Sequence, residues 1–237
     1  MLIYGTHACK SAVLSRHNEI QKIYVLTGKP LPAWLTKLPQ NKFSYVSESD
    51  LKKMLPPQAV HQGITIEVNS VQHCDITDLI STPTNCVIAI LDNVIDPHNL
   101  GAIIRSAAAF GVYGIILPER SSCKITGVVA KAASGGIDHV SIFIVKNLSQ
   151  TMKKLKEYGF WIIAFSEYGN RYSNEIDFSG KTCLVFGSEG EGIRKLQLAN
   201  SDFVVKLPTS NKFSTLNVAT SAAIAFYEVS RQKYTIK

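Results

Sequence analysis

Apolar and polar positions alternate along the chain in two periods, one that suits strands and one that suits helices. Val87–Leu91 is a continuous apolar run that ends in a polar loop, Asp92–Asn99. Apolar or small residues then recur at helical spacing, at Leu100, Ile103, Ile104, Ala107 and Ala108. Gly111 suits the stop of that helix, and Gly114–Leu117 is a second apolar run. Strand, loop, helix and strand in this order make a βαβ unit, which predicts an α/β protein with a parallel sheet. Arg105 interrupts the small and apolar helix. If that helix is buried, the guanidinium needs partners.

The same reading extends in both directions. Over residues 1–70 it predicts a helix at His7–Leu14 and strands at Lys22–Leu26, Phe43–Val46 and Ile64–Val68. A helix-compatible piece, Trp34–Leu38, lies among three prolines, and Ser49 opens a helix through Leu55. This is a small α/β/α unit. Residues 71–85 read as a linker, with a short helix at Ile76–Ile80 and a turn cluster at Ser81–Asn85. Residues 86–237 form a second unit. Its further helices are expected at Lys124–Ala133, Leu148–Tyr158 and Ala219 to about Gln232. Its further strands are expected at Ile142–Val145, Trp161–Phe165, Thr182–Phe186 and Phe203–Leu207.

Composition narrows the class. With 237 residues, 46% apolar and 18% charged, the chain is long enough for a sizeable core. The net charge of +7 favours a polyanionic partner such as nucleic acid, because basic surfaces gain from phosphate contact and counterion release. No run is long and apolar enough for a membrane helix, and the first residues lack a leader pattern. The five cysteines, Cys9, Cys74, Cys86, Cys123 and Cys183, are odd in number and lack metal-ligand spacing. They read as reduced thiols of a cytoplasmic protein without a metal.

Two more loops carry candidate chemistry. Gly187–Gly192 reads GSEGEG and directly follows a predicted strand. Its glycine order is G-x-x-G-x-G, not the dinucleotide fingerprint, and no G-K-[ST] follows. Its two glutamates suit a cationic or polar ligand better than a phosphate, and a tight acidic turn is the plain alternative. The third loop runs from Lys206-Leu207-Pro208 to Thr215-Leu216-Asn217-Val218-Ala219-Thr220, with hydroxyls at Ser214 and Thr215. Capping of the last helix by Ser214, Thr215 or Asn217 is the plain alternative and accounts for one such residue. His7 and His61 are candidate RNA contacts, with a structural role as the plainer reading.

Three motifs in order, Asp96-Pro97-His98-Asn99-Leu100-Gly101 with Arg105, Gly187–Gly192 with Glu189, and Leu207-Pro208 with Leu216-Asn217-Val218, resemble the SpoU (TrmH) family of RNA 2′-O-ribose methyltransferases, within the SPOUT superfamily. Tyr4-Gly5-Thr6-His7-Ala8 and His61-Gln62-Gly63-Ile64 resemble the substrate-binding domain of the branch that methylates a guanosine of 23S ribosomal RNA.

The resemblance implies a C-terminal trefoil-knotted domain preceded by an L30e-like RNA-binding domain, acting as a homodimer with S-adenosylmethionine. It implies that Gly187, Leu207 and Leu216 hold the cofactor through backbone groups. Arg105 becomes the group that activates the ribose hydroxyl or fixes an RNA phosphate that does. Asn99 is expected to bind substrate or hold Arg105, Glu189 to orient Arg105 or Asn217, and Asn217 with Thr215 or Ser214 to position ribose or cofactor. Three positions depart from the family pattern, the first being Thr215, which stands where serine is usual and keeps a hydroxyl. Ala219 stands where a hydroxyl is usual, and Gly135-Gly136 stands where Gly-Ala is usual. The rival readings are a transfer-RNA enzyme of the same family and a non-catalytic RNA-binding protein with the same fold.

Overall fold

The computed structural model describes residues 1–71, 73–210, 212 and 214–233. The first apolar stretches pair into a four-stranded sheet of β1 (Leu2–Tyr4), β2 (Ile20–Leu26), β3 (Phe43–Val46) and β4 (Ile64–Val68), ordered β1-β4-β2-β3. β4 is antiparallel to both neighbours, and β2 is parallel to β3. α1 (Thr6–Ser15) buries Ala8, Cys9, Ala12 and Val13, which share one helical face. α2 (Glu48–Met54) is capped by the Ser47 side chain, with Glu48 and Asp50 in its first turn. The piece expected at Trp34–Leu38 is only a 3-10 turn, Ala33–Leu35. The flanking prolines leave too few residues to nucleate a longer helix.

The second half builds a seven-stranded sheet from β5 (Val87–Leu91), β6 (Gly114–Pro118), β7 (Ser141–Val145), β8 (Trp161–Phe165), β9 (Arg171–Tyr172), β10 (Thr182–Phe186) and β11 (Phe203–Lys206). Its order is β7-β6-β5-β10-β8-β11-β9, and every pairing is parallel. The helices are α3 (Pro97–Ala109), α4 (Gly127–Ala133), α5 (Leu148–Glu157), α6 (Lys195–Asn200) and α7 (Val218–Lys233). β5 and β10 are buried at every position. Ala89, Leu91, Leu184 and Phe186 enter the core shared with α3, α4 and α7, whereas Ile88, Ile90, Cys183 and Val185 enter the core shared with α5. Burial on both faces is why these strands read as unbroken apolar runs.

Several boundaries differ from the sequence reading. α3 begins at Pro97, because the Asp96 side chain accepts from His98 N at 2.8 Å and Pro97 starts the helix. Asn99 therefore lies in the first helical turn and not in the loop. The helix expected over Lys124–Ala133 is confined to Gly127–Ala133. β9 and α6, of two and six residues, are too short to show a period. Within the expected linker, Ile76–Ser81 forms a 3-10 helix with a capping box between Asp75 and Asp78, and Cys74 bridges to Phe143 at the sheet edge. Gln72 of that linker, and Asn211 and Phe213 of the loop expected at Pro208–Phe213, lie outside the described residues.

The two units meet along a tight seam. α1 and β1 pack on α4, and apolar residues of both units belong to one core. Arg16 pairs with Asp138 across the seam, with the two side chains 10% and 1% exposed. Ser11 Oγ donates to Gly135 O at 3.1 Å. A Cβ at Gly127 would sit 2.1 Å from Leu2 O, so only glycine allows this approach. All five cysteines are free. Burial pushes the Cys9 thiol up to about 12 and raises Cys183 further. Among the described residues no helix is long and apolar enough to cross a membrane, and no three His, Cys, Asp or Glu side chains converge on a metal site.

Candidate active site

The sheet order reverses at β5. β6 and β7 extend to one side of it, and β10, β8, β11 and β9 to the other. Loops leaving the carboxyl ends at such a switch point border a crevice where α/β proteins bind ligands. Here the loops after β5, β10 and β11 meet, bringing together the three motifs from the sequence.

An ion pair between a buried carboxylate and a half-exposed guanidinium joins the first two loops. Asp92, which is completely buried, follows β5, and its N–H extends the ladder to Phe186 O at 2.8 Å. Its carboxylate accepts from Arg194 N at 3.2 Å and from Arg194 Nε at 3.1 Å, and it pairs with Nη2. The carboxylate in turn holds the Arg194 guanidinium above its usual range. Between β10 and Arg194 the loop closes on itself, with Ser188 N donating to Gly192 O at 3.2 Å and Gly192 N to Ser188 O at 3.1 Å. A Cβ at Gly187 would lie 2.0 Å from the Gly192 carbonyl carbon, which explains a glycine at that position.

The closed loop holds Glu189 between two asparagines. Asn99 Nδ2 donates to Glu189 Oε1 at 3.0 Å, and Asn217 Nδ2 donates to Asn99 Oδ1 at 3.1 Å and also to Glu189 Oε1. Asn217 has a second role. Its Oδ1 accepts from Ala219 N at 2.8 Å and from Thr220 N at 3.4 Å, capping α7. Cap and site role were alternatives in the sequence, but one amide fills both. With its oxygen committed to the helix, its nitrogen must face Glu189.

A cavity of about 1020 Å³ opens beside this network. Gly187, Leu207, Leu216, Thr215, Ser214, Glu189 and Asn217 all line it, so the expected cofactor residues converge. Apolar Phe165, Phe186 and Ile193 and the carboxylates of Glu167 and Glu191 also line it. Ser166, Glu167, Tyr168 and Tyr172 were missed by the sequence reading, and Lys206, which opens the third loop, lines the cavity with them. Their signal was the polar Ser166-Glu167 at the end of an apolar strand. Lys206 Nζ stacks over the Tyr172 ring, 4.8 Å from its centroid.

Arg105 contradicts two expectations. It is exposed on α3, not buried, and among the described residues it makes no hydrogen bond or ion pair. Leu100, Ile103, Ile104 and Ala107 take the core face, and Arg105 falls on the opposite stripe with His98 and Ala109. The small residues around it reflect close helix packing, since a Cβ at Gly101 would lie 2.3 Å from Ala132 Cβ. Neither Asn99 nor Glu189 holds Arg105; they hold each other and Asn217. Gly136 does approach it, for a Cβ there would lie 3.0 Å from Arg105 Cα. Of the two histidines, His61 holds its own turn by accepting from Gly63 N at 3.0 Å, and His7 is exposed.

Comparison with known proteins shows the family and the fold. Residues 86–227 match the SpoU rRNA Methylase family, and residues 2–74 match the family described as RNA 2′-O ribose methyltransferase substrate binding. An uncharacterised tRNA/rRNA methyltransferase of Synechocystis is 36% identical over 98% of this chain, which spans 62% of that protein's length. The 23S rRNA (guanosine-2′-O-)-methyltransferase RlmB of Pseudomonas putida is 32% identical, over 98% of this chain and 96% of its own. In fold, the chain is similar to the SpoU methyltransferase AviRb of Streptomyces viridochromogenes, crystallised with AdoMet, at a TM-score of 0.85 and 20% identity over 100% of this chain and 91% of that one. The chain therefore belongs to the SpoU rRNA methylase family, whose members are S-adenosylmethionine-dependent RNA 2′-O-methyltransferases.

Proposed function

We propose that this enzyme methylates the ribose 2′-hydroxyl of a guanosine in 23S ribosomal RNA, acting in the cytoplasm as a homodimer. The observation that carries the reading is the meeting of Asn99, Glu189 and Asn217 at the lip of a glycine-walled cavity. The target nucleotide is inferred from the relative of Pseudomonas putida, which bears that activity in its name and aligns along almost its whole length.

The cavity fits the cofactor. Its volume is ample for a ligand of that size, Phe165, Leu207 and Leu216 offer apolar walls for a base, and Glu167, Glu189 and Glu191 offer negative charge to a sulfonium and an ammonium. Gly187 lets backbone come close, as a Cβ there would fill the space the loop needs. When bound, S-adenosylmethionine supplies an electrophilic methyl group. Ribose O2′ gains that methyl and loses its proton, leaving S-adenosylhomocysteine and a methylated RNA.

The protein's part is orientation and proton management. Arg105, exposed on α3, donates hydrogen bonds to an RNA phosphate beside the target ribose. A guanidinium is a donor only, so the 2′-proton leaves to that phosphate. Asn99 has an N–H to spare after its bond to Glu189 and directs it at the ribose. Thr215 or Ser214 supplies a hydroxyl at the other wall. Ile95, Ile224 and Tyr227 are large exposed apolar residues near the site's loops and on α7, and they suit the dimer contact. We read the path in which β10 inserts between β5 and β8, with both later loops wrapped around one cavity, as the trefoil knot.

Transfer of a radiolabelled methyl from S-adenosylmethionine to transcribed 23S RNA, followed by alkaline hydrolysis, tests this. One protected dinucleotide with guanosine on its 5′ side is expected. Label in transfer RNA alone would overturn the choice of substrate.

A further inference from the structure

Away from the cavity, two ammonium groups from different units converge on Gln62. Lys29 Nζ of the first unit donates to Gln62 O at 2.5 Å. Lys131 Nζ, from α4 of the second unit, donates to Gln62 Oε1 at 3.3 Å, and that oxygen also accepts from Thr6 N at 2.9 Å. Both ammonium groups occupy space that a glycine leaves open. A Cβ at Gly5 would lie 2.1 Å from Lys131 Nζ, and one at Gly63 would lie 2.9 Å from Lys29 Nζ. Gln62 itself holds a positive φ of 55° in an exposed turn.

Among the described residues neither lysine has a carboxylate within ion-pair distance. Two like charges drawn to one neutral residue repel each other, and an anion with several acceptor oxygens relieves that repulsion. The place is also suitable for a strand on its way to the reaction. Lys131 precedes Ala132, which packs on Gly101, one turn before Arg105 on α3. The turn that ends α4 touches Ser11 of α1 through Gly135 and the Arg105 backbone through Gly136.

We propose that Lys29, Lys131 and Gln62 form a phosphate site for substrate RNA that spans the seam between the two units, so that RNA is held by both units at once. This rests on the reading of the protein as an RNA methyltransferase. It assigns substrate contact to a residue of the second unit and gives the RNA a route along the seam to Arg105.

The test is filter binding of transcribed, unmethylated 23S RNA by the full-length Lys29→Gln/Lys131→Gln variant, between about 50 and 200 mM salt. The slope of log K against log salt should fall by roughly 0.7–0.9, for the one phosphate that the variant no longer neutralises, and the affinity should drop about tenfold. S-adenosylmethionine affinity should not change. The Lys29→Arg/Lys131→Arg variant, which keeps the charges, should keep the slope. An unchanged slope in the glutamine variant overturns the proposal, as does an equal drop in the arginine variant. A lower melting temperature with an unchanged slope also overturns it, since the lysines would then only dock the units. If the unaltered protein transfers no methyl to any RNA, the methyltransferase reading fails instead, whatever the slopes.

Discussion

Asn217 Nδ2 lies 3.1 Å from Asn99 Oδ1, an interaction between residues 118 apart that joins the first turn of α3 to the start of α7. The same nitrogen reaches Glu189, so one side chain ties three loops together while its oxygen caps a helix. These two tasks can be separated. Asn217→Ser keeps a good cap but removes the donor. Its melting temperature should stay within about 2 °C of the parent, and methyl transfer should fall at least about tenfold, the scale of one missing charge-assisted bond in a site. Thermal melts and initial rates on one preparation check this.

Gly187→Ala should disrupt the cofactor side. The new methyl would sit on the Gly192 backbone, which cannot yield as a flexible side chain does. Forced overpacking of this kind costs about 1–3 kcal/mol. Calorimetric titration should show S-adenosylmethionine affinity reduced by at least about tenfold, with a lower melting temperature.

The seam should depend on its ion pair. Asp138 is almost fully buried, and among the described residues its Oδ2 has no hydrogen-bond partner. Arg16→Ala would leave that carboxylate uncompensated, at a cost of about 3–5 kcal/mol. Denaturant melts should show this decrease, and replacing both residues by apolar ones should recover much of it.

Stability should also carry a signature from Lys233, whose pKa burial lowers to about 8 while its ammonium donates to Asn85 O at 2.5 Å and Gly180 O at 3.2 Å. The folded value lies below the unfolded one, so the unfolded chain binds the proton more tightly. Below pH 8 both states are charged and the full penalty applies. Between about 8 and 10.4 the penalty disappears as pH rises, so stability should increase relative to Lys233→Met across that window. Melting curves of the two proteins at several pH values measure the difference.

Much of the fold was legible because strands buried on both faces show as unbroken apolar runs, as Val87–Leu91 and Cys183–Phe186 do. Sheet order was not legible, since nothing local in β10 says that it inserts between β5 and β8. The position of Arg105 was misread for a related reason. Its small neighbours serve packing of α3 on α4 through Gly101, and that packing looks in sequence like burial on all sides. The expected cofactor residues Gly187, Leu207 and Leu216 do line one cavity, whereas Tyr172 entered it from a two-residue strand with no periodic signal.

The most direct test concerns Arg105. Because the side chain is exposed and bonds to none of the described residues, Arg105→Ala should fold as the parent does and bind S-adenosylmethionine with the same affinity. Mapping of ribose methylation on transcribed 23S RNA should find one methylated guanosine with the parent enzyme and none with this variant. Full methylation by Arg105→Ala would contradict the account.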